Sequence, residues 1–259
     1  MTDSRFSGID RLYGAGSAAR LARAHVAVVG LGGVGSWAAE ALARSGVGTL
    51  TLIDADEVCV SNVNRQSHAL EGEFGRAKVD VVGARLRAIN PQIRVLPLAQ
   101  FVTVGNLEEL LGVGYDAVID ACDALRVKVA MIAFCRRRKI PIVVSGSAGG
   151  RSDPTLITAR DLSKTEHDIL LGLVRKKLRD EYAWTRNPKR YFGVQAVYSL
   201  ENVNYPQPDG SACKTRSGSD EGALKLDCAG GLGAAMHVTA TFGMVAASRT
   251  IERLLQASA

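Results

Sequence analysis

A glycine-rich turn between an apolar run and an Ala-rich run constrains this chain most. His25-Val-Ala-Val-Val-Gly30 reads as a short strand, and Gly33 to Ser45 reads as a helix with Gly46 as its C-cap. Between them, Gly30-Leu-Gly-Gly-Val-Gly35 satisfies G-x-G-x-x-G at Gly30, Gly32 and Gly35, with Gly33 inside it. The glycines permit a tight turn and close backbone approach, and the helix N-terminus offers free N–H groups to phosphate. Asp54 ends the next apolar run, Thr49 to Asp54, about twenty residues on, where a carboxylate binds ribose hydroxyls. A nucleotide site is the expectation. NAD-binding folds show the same pair, and a turn that merely packs strand on helix is the plain alternative.

The alternation continues. Gly75 to Asn90 is a helix with Val79, Val82, Leu86 and Ile89 on one face. Ile93 to Leu98 and Tyr115 to Asp120 are strands, Leu125 to Lys139 a helix, and Pro141 to Ser145 a strand. The implied fold is α/β: a Rossmann-like, doubly wound, mostly parallel sheet with a C-terminal antiparallel extension (Thr155 to Ala159 and Phe192 to Ser199) and a closing helix from about Gly231 to Leu255. A chain of 259 residues, 47% hydrophobic and 22% charged, supports one domain over 1–259 and excludes global disorder. Within it, 11–146 reads as the nucleotide-binding half and 147–259 as a substrate and dimer half. The latter carries a basic helix, Asp168 to Asp180, and a polar loop, 202–227, expected to be mobile.

The segment after Asp54-Ala-Asp56 separates the nucleotide classes. The long connection Glu57 to Phe74 carries Ser61-Asn62-Val63-Asn64-Arg65-Gln66, and the next helix opens with Lys78. Arg65 and Lys78 bring two cations to the rim where the Gly-loop points. A departing pyrophosphate needs such cations and a nicotinamide dinucleotide does not. Asp120-Ala-Cys-Asp123 ends another strand on that rim, where Asp123 could hold Mg²⁺ beside a triphosphate. Taken singly, Arg65 and Lys78 read as solvated surface charges and Asp123 as a helix N-cap. Their convergence at strand carboxyl ends favours the site.

Gly30 to Ser36, Asp54, Asp56, Ser61-Asn62-x-x-Arg65-Gln66, Lys78 and Asp120-x-x-Asp123 together resemble the adenylation domain of the ubiquitin-activating superfamily, over roughly Arg11 to Gly146 and again in the last helix. Arg11-Leu-Tyr-Gly14, Cys135-Arg-Arg, Tyr205-Pro-Gln-Pro-Asp-Gly210 and Asp227 to Ala235 make the chain most similar to a tRNA-modifying branch of that superfamily. The resemblance implies that Gly30, Gly32, Gly33 and Gly35 carry the phosphates, and that Asp54, with Asp56 nearby, takes the ribose. It further implies that Asn62, Arg65, Gln66 and Lys78 surround the triphosphate, that Asp123 coordinates Mg²⁺, and that Arg11 reaches a partner subunit's ATP in a homodimer. The implied activity is ATP-dependent dehydration (cyclisation) of threonylcarbamoyladenosine in the tRNA anticodon loop through carboxylate adenylation. The alternative is an adenylyltransferase acting on the C-terminus of a ubiquitin-like sulfur carrier. A cysteine-desulfurase-linked sulfur acceptor protein is a further partner the family suggests. An NAD-dependent oxidoreductase would leave Arg65 and Lys78 idle, and a non-catalytic scaffold would leave the whole constellation idle.

Two global features fit the tRNA branch. The carrier activators commonly hold zinc with paired C-x-x-C motifs. The five cysteines here (Cys59, Cys122, Cys135, Cys213, Cys228) contain no such pair, so no zinc is expected. Cys213 and Cys228, flanking the polar loop, are the candidates for thiol transfer and read better as structural or neutral. The odd count, with no secretory h-region over Met1 to Arg20, points to a reducing, cytoplasmic setting. The net charge of +6 suits a polyanion, and Arg175, Lys176, Arg186, Lys189 and Arg190, interleaved with Tyr182, Trp184 and Tyr191, are candidate RNA contacts. The run Arg136-Arg-Arg-Lys139 instead suits a helix C-terminus. Residues 228–248 lack charge but are rich in Gly, Ala and Thr, which favours a packed core helix over membrane association.

Overall fold

The computed structural model describes residues 3–207, 209–214 and 232–256. Two short helices, α1 (Ser7–Tyr13) and α2 (Ser17–Arg23), lead into alternating elements. These are β1 (His25–Val29), α3 (Gly35–Arg44), β2 (Thr49–Ile53), α4 (Lys78–Ile89), β3 (Arg94–Leu98), α5 (Leu107–Leu111), β4 (Ala117–Asp120), α6 (Leu125–Arg138) and β5 (Ile142–Ser145). Then follow β6 (Ile157–Asp161), α7 (Ile169–Glu181), β7 (Gln195–Ser199), the small hairpin β8 (Tyr205–Pro206) and β9 (Ala212–Cys213), and α8 (Met236–Gln256).

Seven strands form one sheet in the order β3-β2-β1-β4-β5-β7-β6. All neighbours run parallel except β6 against β7, where Ile157 to Asp161 pair antiparallel with Ser199 to Gln195. This is the expected Rossmann-like sheet with its antiparallel extension. The strands are apolar along their length because both faces are covered. Val26, Val28, Leu50 and Leu52 face one layer with Leu42 of α3, Val82 and Leu86 of α4 and Phe242 of α8. Ala27, Val29 and Val118 face the other, with Leu110 of α5, Ile132 of α6 and Val174 of α7.

The ends of α3 explain its boundaries. Gly46 sits at φ +83° and its N–H donates to Ala43 O, while Val47 N–H donates to Leu42 O. Those paired bonds are a Schellman stop, and the positive φ requires glycine. On the outer side of α3, Gly243 of α8 approaches so closely that a Cβ would lie 2.5 Å from Val34 O. Gly243 therefore serves the close packing of α8 on α3. No helix among the described residues is long and apolar enough to cross a membrane.

Several elements depart from expectation. The polar N-terminus forms α1 and α2, held because Ala18 and Leu21, one turn apart, are buried. The helix α5, with Leu107, Leu110 and Leu111 buried, spans too few residues to show a period in sequence. The closing helix starts at Met236, not near Gly231; residues 215–231 lie outside the described residues, as do Cys228 and most of the 202–227 loop. The described part of that loop is not wholly irregular. Tyr205 pairs with Cys213 and Pro206 with Ala212.

Candidate active site

In an open doubly wound sheet the ligand crevice opens beyond the strand carboxyl ends where strand order reverses, which here is between β1 and β4. A cleft of about 710 Å³ lies there. Among the predicted residues it is lined by Gly30, Gly32, Gly33, Asp54, Asp56, Asn62, Arg65, Gln66, Lys78 and Asp123. Residues from the ends of β1, β2 and β4, the start of α4 and the long connection after β2 are thus brought together.

The Gly-loop is fixed by its own backbone. Gly30 has φ +85°, and Leu31 N–H donates to Asp54 Oδ2 at 2.6 Å. The other oxygen, Oδ1, accepts Asp56 N–H at 2.8 Å. Asp54 therefore holds the turn in place, and each of its oxygens keeps a further lone pair that can accept a hydrogen bond. No side chain caps α3, so its N-terminal N–H groups and dipole face the cleft. Gly35 does not line the cleft, contrary to its expected role. A Cβ there would lie 1.7 Å from Gly30 O, so this glycine lets the turn close onto the helix.

The long connection is folded down onto α3. Trp37 Nε1–H donates to Arg65 O at 3.0 Å, and Asn62 Oδ1 accepts Cys59 N–H at 3.0 Å. Arg65 Nη1 donates to Ser61 O and to Asn64 Oδ1 at 2.8 and 3.0 Å. Lys78 has a side chain only 7% exposed, at the first position of α4, with Nζ 2.8 Å from Asp56 Oδ2. An anionic ligand would meet two cations already aimed by neighbouring oxygens, Lys78 buried and Arg65 half-buried. Gln66 is buried and its Oε1 has no partner.

On the other wall, Asp120 ends β4 fully buried in an ion pair with Lys128 Nζ at 2.8 Å. Burial works against the Lys128 charge, yet the Asp120 carboxylate outweighs it and holds the ammonium pKa above its ordinary value. Asp120 Oδ1 also accepts Cys122 N–H and Sγ–H. Cys122 lines the cleft, although only Cys213 and Cys228 stand out in the sequence as candidates for thiol transfer. Burial, then the Asp120 charge, pushes its thiol well above the ordinary range, and burial pushes Cys135 up to about 12. Both are held as thiols, not as thiolate nucleophiles. Asp123 itself is exposed at the rim. Among the described residues no group of three His, Cys, Asp or Glu side chains could hold a metal by itself.

Sequence reasoning also missed Asn64, Phe101, Ser147 and Thr239, all lining the cleft. Asn64 lay inside the motif already singled out. The turn after β5, Ser145 to Gly150, could have been added from the strand-end rule alone. Thr239, brought in by α8, carried no sequence signal. Arg11 sits exposed on α1 with Nη1 3.4 Å from Ser7 Oγ and does not line the cleft of its own chain.

The basic region lies elsewhere. α6 starts beside Asp123 and runs about 20 Å to the amino edge of the sheet. A second cavity of about 440 Å³ there is lined by Arg136, Arg137, Tyr182, Trp184, Tyr191 and Phe192. Lys176, Arg186, Lys189 and Arg190 are exposed, and Arg186 pairs with Asp180 at 2.6 Å. Tyr191 is 69% exposed. Two expectations change. Arg175 is half-buried and bonded to Thr165 Oγ1, so it braces α7. Trp184 packs edge-to-face on Phe192 at 4.8 Å, as part of the core.

Comparison with known proteins decides the family. The ThiF family model matches residues 8–258. This chain belongs to the ThiF family. It is 49% identical over 255 residues to the tRNA threonylcarbamoyladenosine dehydratase of Escherichia coli (strain K12), covering 98% of this chain and 95% of that protein. A crystal structure of the E. coli tRNA N6-threonylcarbamoyladenosine dehydratase in complex with ATP superposes with TM-score 0.87 at 44% identity, covering 100% of this chain and 98% of that one. The molybdopterin-synthase adenylyltransferase of E. coli (strain K12) is 35% identical over 136 residues, 52% of this chain and 54% of that protein. The ThiF-family likeness to that adenylyltransferase is thus confined to about half of the chain.

Proposed function

We propose that this protein catalyses ATP-dependent dehydration of threonylcarbamoyladenosine in tRNA, through an acyl-adenylate. The observation that carries this is the extent of the likeness: similarity to the dehydratase covers 98% of this chain, whereas similarity to the molybdopterin-synthase adenylyltransferase covers 52%. We further propose that 11–146 chiefly serves the nucleotide and 147–259 the RNA-borne group.

A carboxylate is a poor electrophile because its oxygen is a poor leaving group. Attack of that oxygen on the α-phosphorus of ATP expels pyrophosphate and makes the oxygen part of AMP. Arg65 and Lys78, with the Gly30 to Gly33 turn, hold the phosphates and offset the charge that develops as pyrophosphate departs. Asn62 and Gln66, which line the same cleft, are proposed to surround the triphosphate and the carboxylate. The carbamoyl group of the same substrate then attacks the acyl carbon, loses a proton, and AMP leaves with the former carboxylate oxygen. Carboxylate, ATP and carbamoyl group give ring, AMP and pyrophosphate; one water has been removed from the nucleoside. No protein nucleophile enters, consistent with Cys122 held as a thiol.

Mg²⁺ fits this site as a nucleotide-bound ion and not as one in an all-protein cage. Asp123 supplies one exposed carboxylate on the rim, and Mg²⁺ is commonly held by one or two carboxylates plus phosphates and water. When bound there, the ion would supply charge neutralisation at the phosphates. Arg11, absent from its own cleft, is proposed to serve the ATP of a second copy, which makes the active protein a homodimer in the cytoplasm. A cysteine-desulfurase-linked sulfur acceptor protein is proposed as a further partner on family resemblance. The exposed cations Lys176, Arg186, Lys189 and Arg190 are proposed to take phosphates of the anticodon stem, about one helix length from the reacting nucleoside.

Mass spectrometry of the modified nucleoside after incubating tRNA with protein and ATP tests the function. Loss of one water is expected, abolished in Asp123→Ala. An unchanged mass, with pyrophosphate exchange driven by a Gly-Gly-ended carrier protein, would refute it.

A further inference from the structure

A second chamber opens from the nucleotide cleft. It has a volume of about 320 Å³ and shares Asp123, Ser147, Leu170 and Leu232 with the cleft. Its remaining walls are apolar, chiefly Leu125, Ile169, Leu173 and Val203, with one cation, Arg151.

Arg151 is an unusual residue to find there. It is 4% exposed. Its Nη2 donates to His167 O at 2.7 Å, but Nε and Nη1 are buried with no hydrogen-bond partner. Two carboxylates lie close enough to act on it electrostatically, Asp168 and Glu201. Neither is bonded to it, because both are committed elsewhere. Asp168 accepts Leu171 N–H and Ser147 N–H. Glu201 accepts Ser152 N–H and Oγ–H, Asp153 N–H and the side chains of Asn204 and Lys214. A buried guanidinium with unused donors is costly in a native protein and calls for a ligand or a mechanistic reason.

The backbone around Arg151 is locked. Gly150 has φ +70°, and a Cβ on it would lie 2.6 Å from Val203 Cγ1. Gly150 N–H donates to Gly233 O and Gly150 O accepts Asn204 N–H, each at 2.7 Å. Three chain segments are thus laced together at the residue that precedes the guanidinium. The arrangement costs nothing extra at the moment of binding, as pre-organised donors should not.

We infer that this chamber is the acyl-group subsite, in which Arg151 donates to the planar carbamoyl-amino-acid group of the substrate while the leucine and valine walls receive its aliphatic part. The inference rests on the dehydratase reading and adds the residue that selects the acyl group. Asp123 marks the passage between the two chambers, so a carboxylate at the passage faces the nucleotide while the carbamoyl oxygen points to Arg151. A guanidinium suits a planar oxygen acceptor of this kind. Arg151 acts on a part of the substrate that ATP does not share, so ATP affinity and acyl recognition separate.

The test compares the full-length protein with Arg151→Met and with Leu173→Phe, which fills the chamber from its apolar side. Two quantities are measured: ATP dissociation by calorimetry, and kcat/KM for dehydration of modified tRNA. Both variants are expected to keep ATP affinity within about twofold and to lose about 10- to 100-fold in kcat/KM, the range for a charged hydrogen bond. Free N-carbamoyl-L-threonine, added with ATP, is expected to raise the melting temperature of the parent and not of Arg151→Met. Parent-like kcat/KM in a folded Arg151→Met overturns the inference. If that variant does not fold, Leu173→Phe decides alone, and parent-like turnover there overturns it equally. A parent protein that leaves the tRNA mass unchanged would instead sink the dehydratase reading.

Discussion

At the carboxyl edge of the sheet the charged groups are sunk into the protein: Lys128 and Asp120 fully buried and paired, Lys78 nearly so, and Arg151 enclosed beside an apolar chamber. At the amino edge, Arg186, Lys189 and Arg190 stand in solvent around an aromatic-lined hollow. Both edges carry cations, and both are assigned to phosphate-bearing ligands. The difference is the dielectric. A buried cation is pre-aimed and strong but must be held by a partner, so it is tied to stability. A solvated one contributes little to stability, is screened by salt, and suits a large polyanion met over many weak contacts.

The buried edge should break first. Lys128→Ala leaves Asp120 charged and unpaired in the core, and a loss of about 3–5 kcal/mol is expected by urea unfolding. The doubly apolar replacement, Lys128→Met with Asp120→Leu, should recover much of that stability while leaving the rim without Asp120 to order Cys122 and its neighbours.

A pH experiment probes the same edge without mutation. His68 is 1% exposed, and burial, followed by the Lys78 and Arg85 charges, lowers its pKa from 6.5 to about 4. Between those values the unfolded chain takes up a proton that the native protein refuses. The stability due to this histidine is therefore full above about pH 6.5 and is lost as pH falls toward 4. The expected loss is on the order of 2–3 kcal/mol by pH 4, read from unfolding free energies and reduced in His68→Leu. A His68→Leu protein with an unchanged slope over that window would show that the acid sensitivity lies elsewhere.

Gly35→Ala should cost about 1–3 kcal/mol and weaken ATP binding measurably, because its Cβ cannot coexist with Gly30 O and the loop must move. The far edge should respond least in stability and most in RNA binding. Lys189→Glu with Arg190→Glu is expected to shift unfolding by less than about 0.5 kcal/mol. The same pair should lower tRNA affinity and reduce the slope of log affinity against log salt by about two contacts' worth. Unaltered affinity and slope would remove this edge from the RNA path.

The nucleotide cleft was legible in the sequence because its parts are local. A strand, a glycine turn, a helix start and an Asp at the next strand end are each recognised from neighbours along the chain, and parallel strands then bring those ends to one rim. The charge roles were less legible. Lys128, in Leu125-Arg-Val-Lys-Val, looks like any helix surface lysine, and Arg175 and Trp184 look like free RNA contacts. Their roles follow from burial, and burial depends on which face of α6 or α7 meets the sheet.

By itself, then, the sequence determined the alternating architecture and the gathering of the glycine turn, Arg65 and Lys78 at one cleft, since these depend on backbone conformation and on spacing along the chain. The tertiary structure decided that Gly35 packs while its neighbours line the cleft, that the basic surface lies a helix length away, and that Arg151 is enclosed with unused donors. Those outcomes depend on segments distant in sequence, such as Gly150, Asn204 and Gly233, meeting at one place. Only their meeting removes water, and removal of water is what turns an ordinary arginine into a specific one.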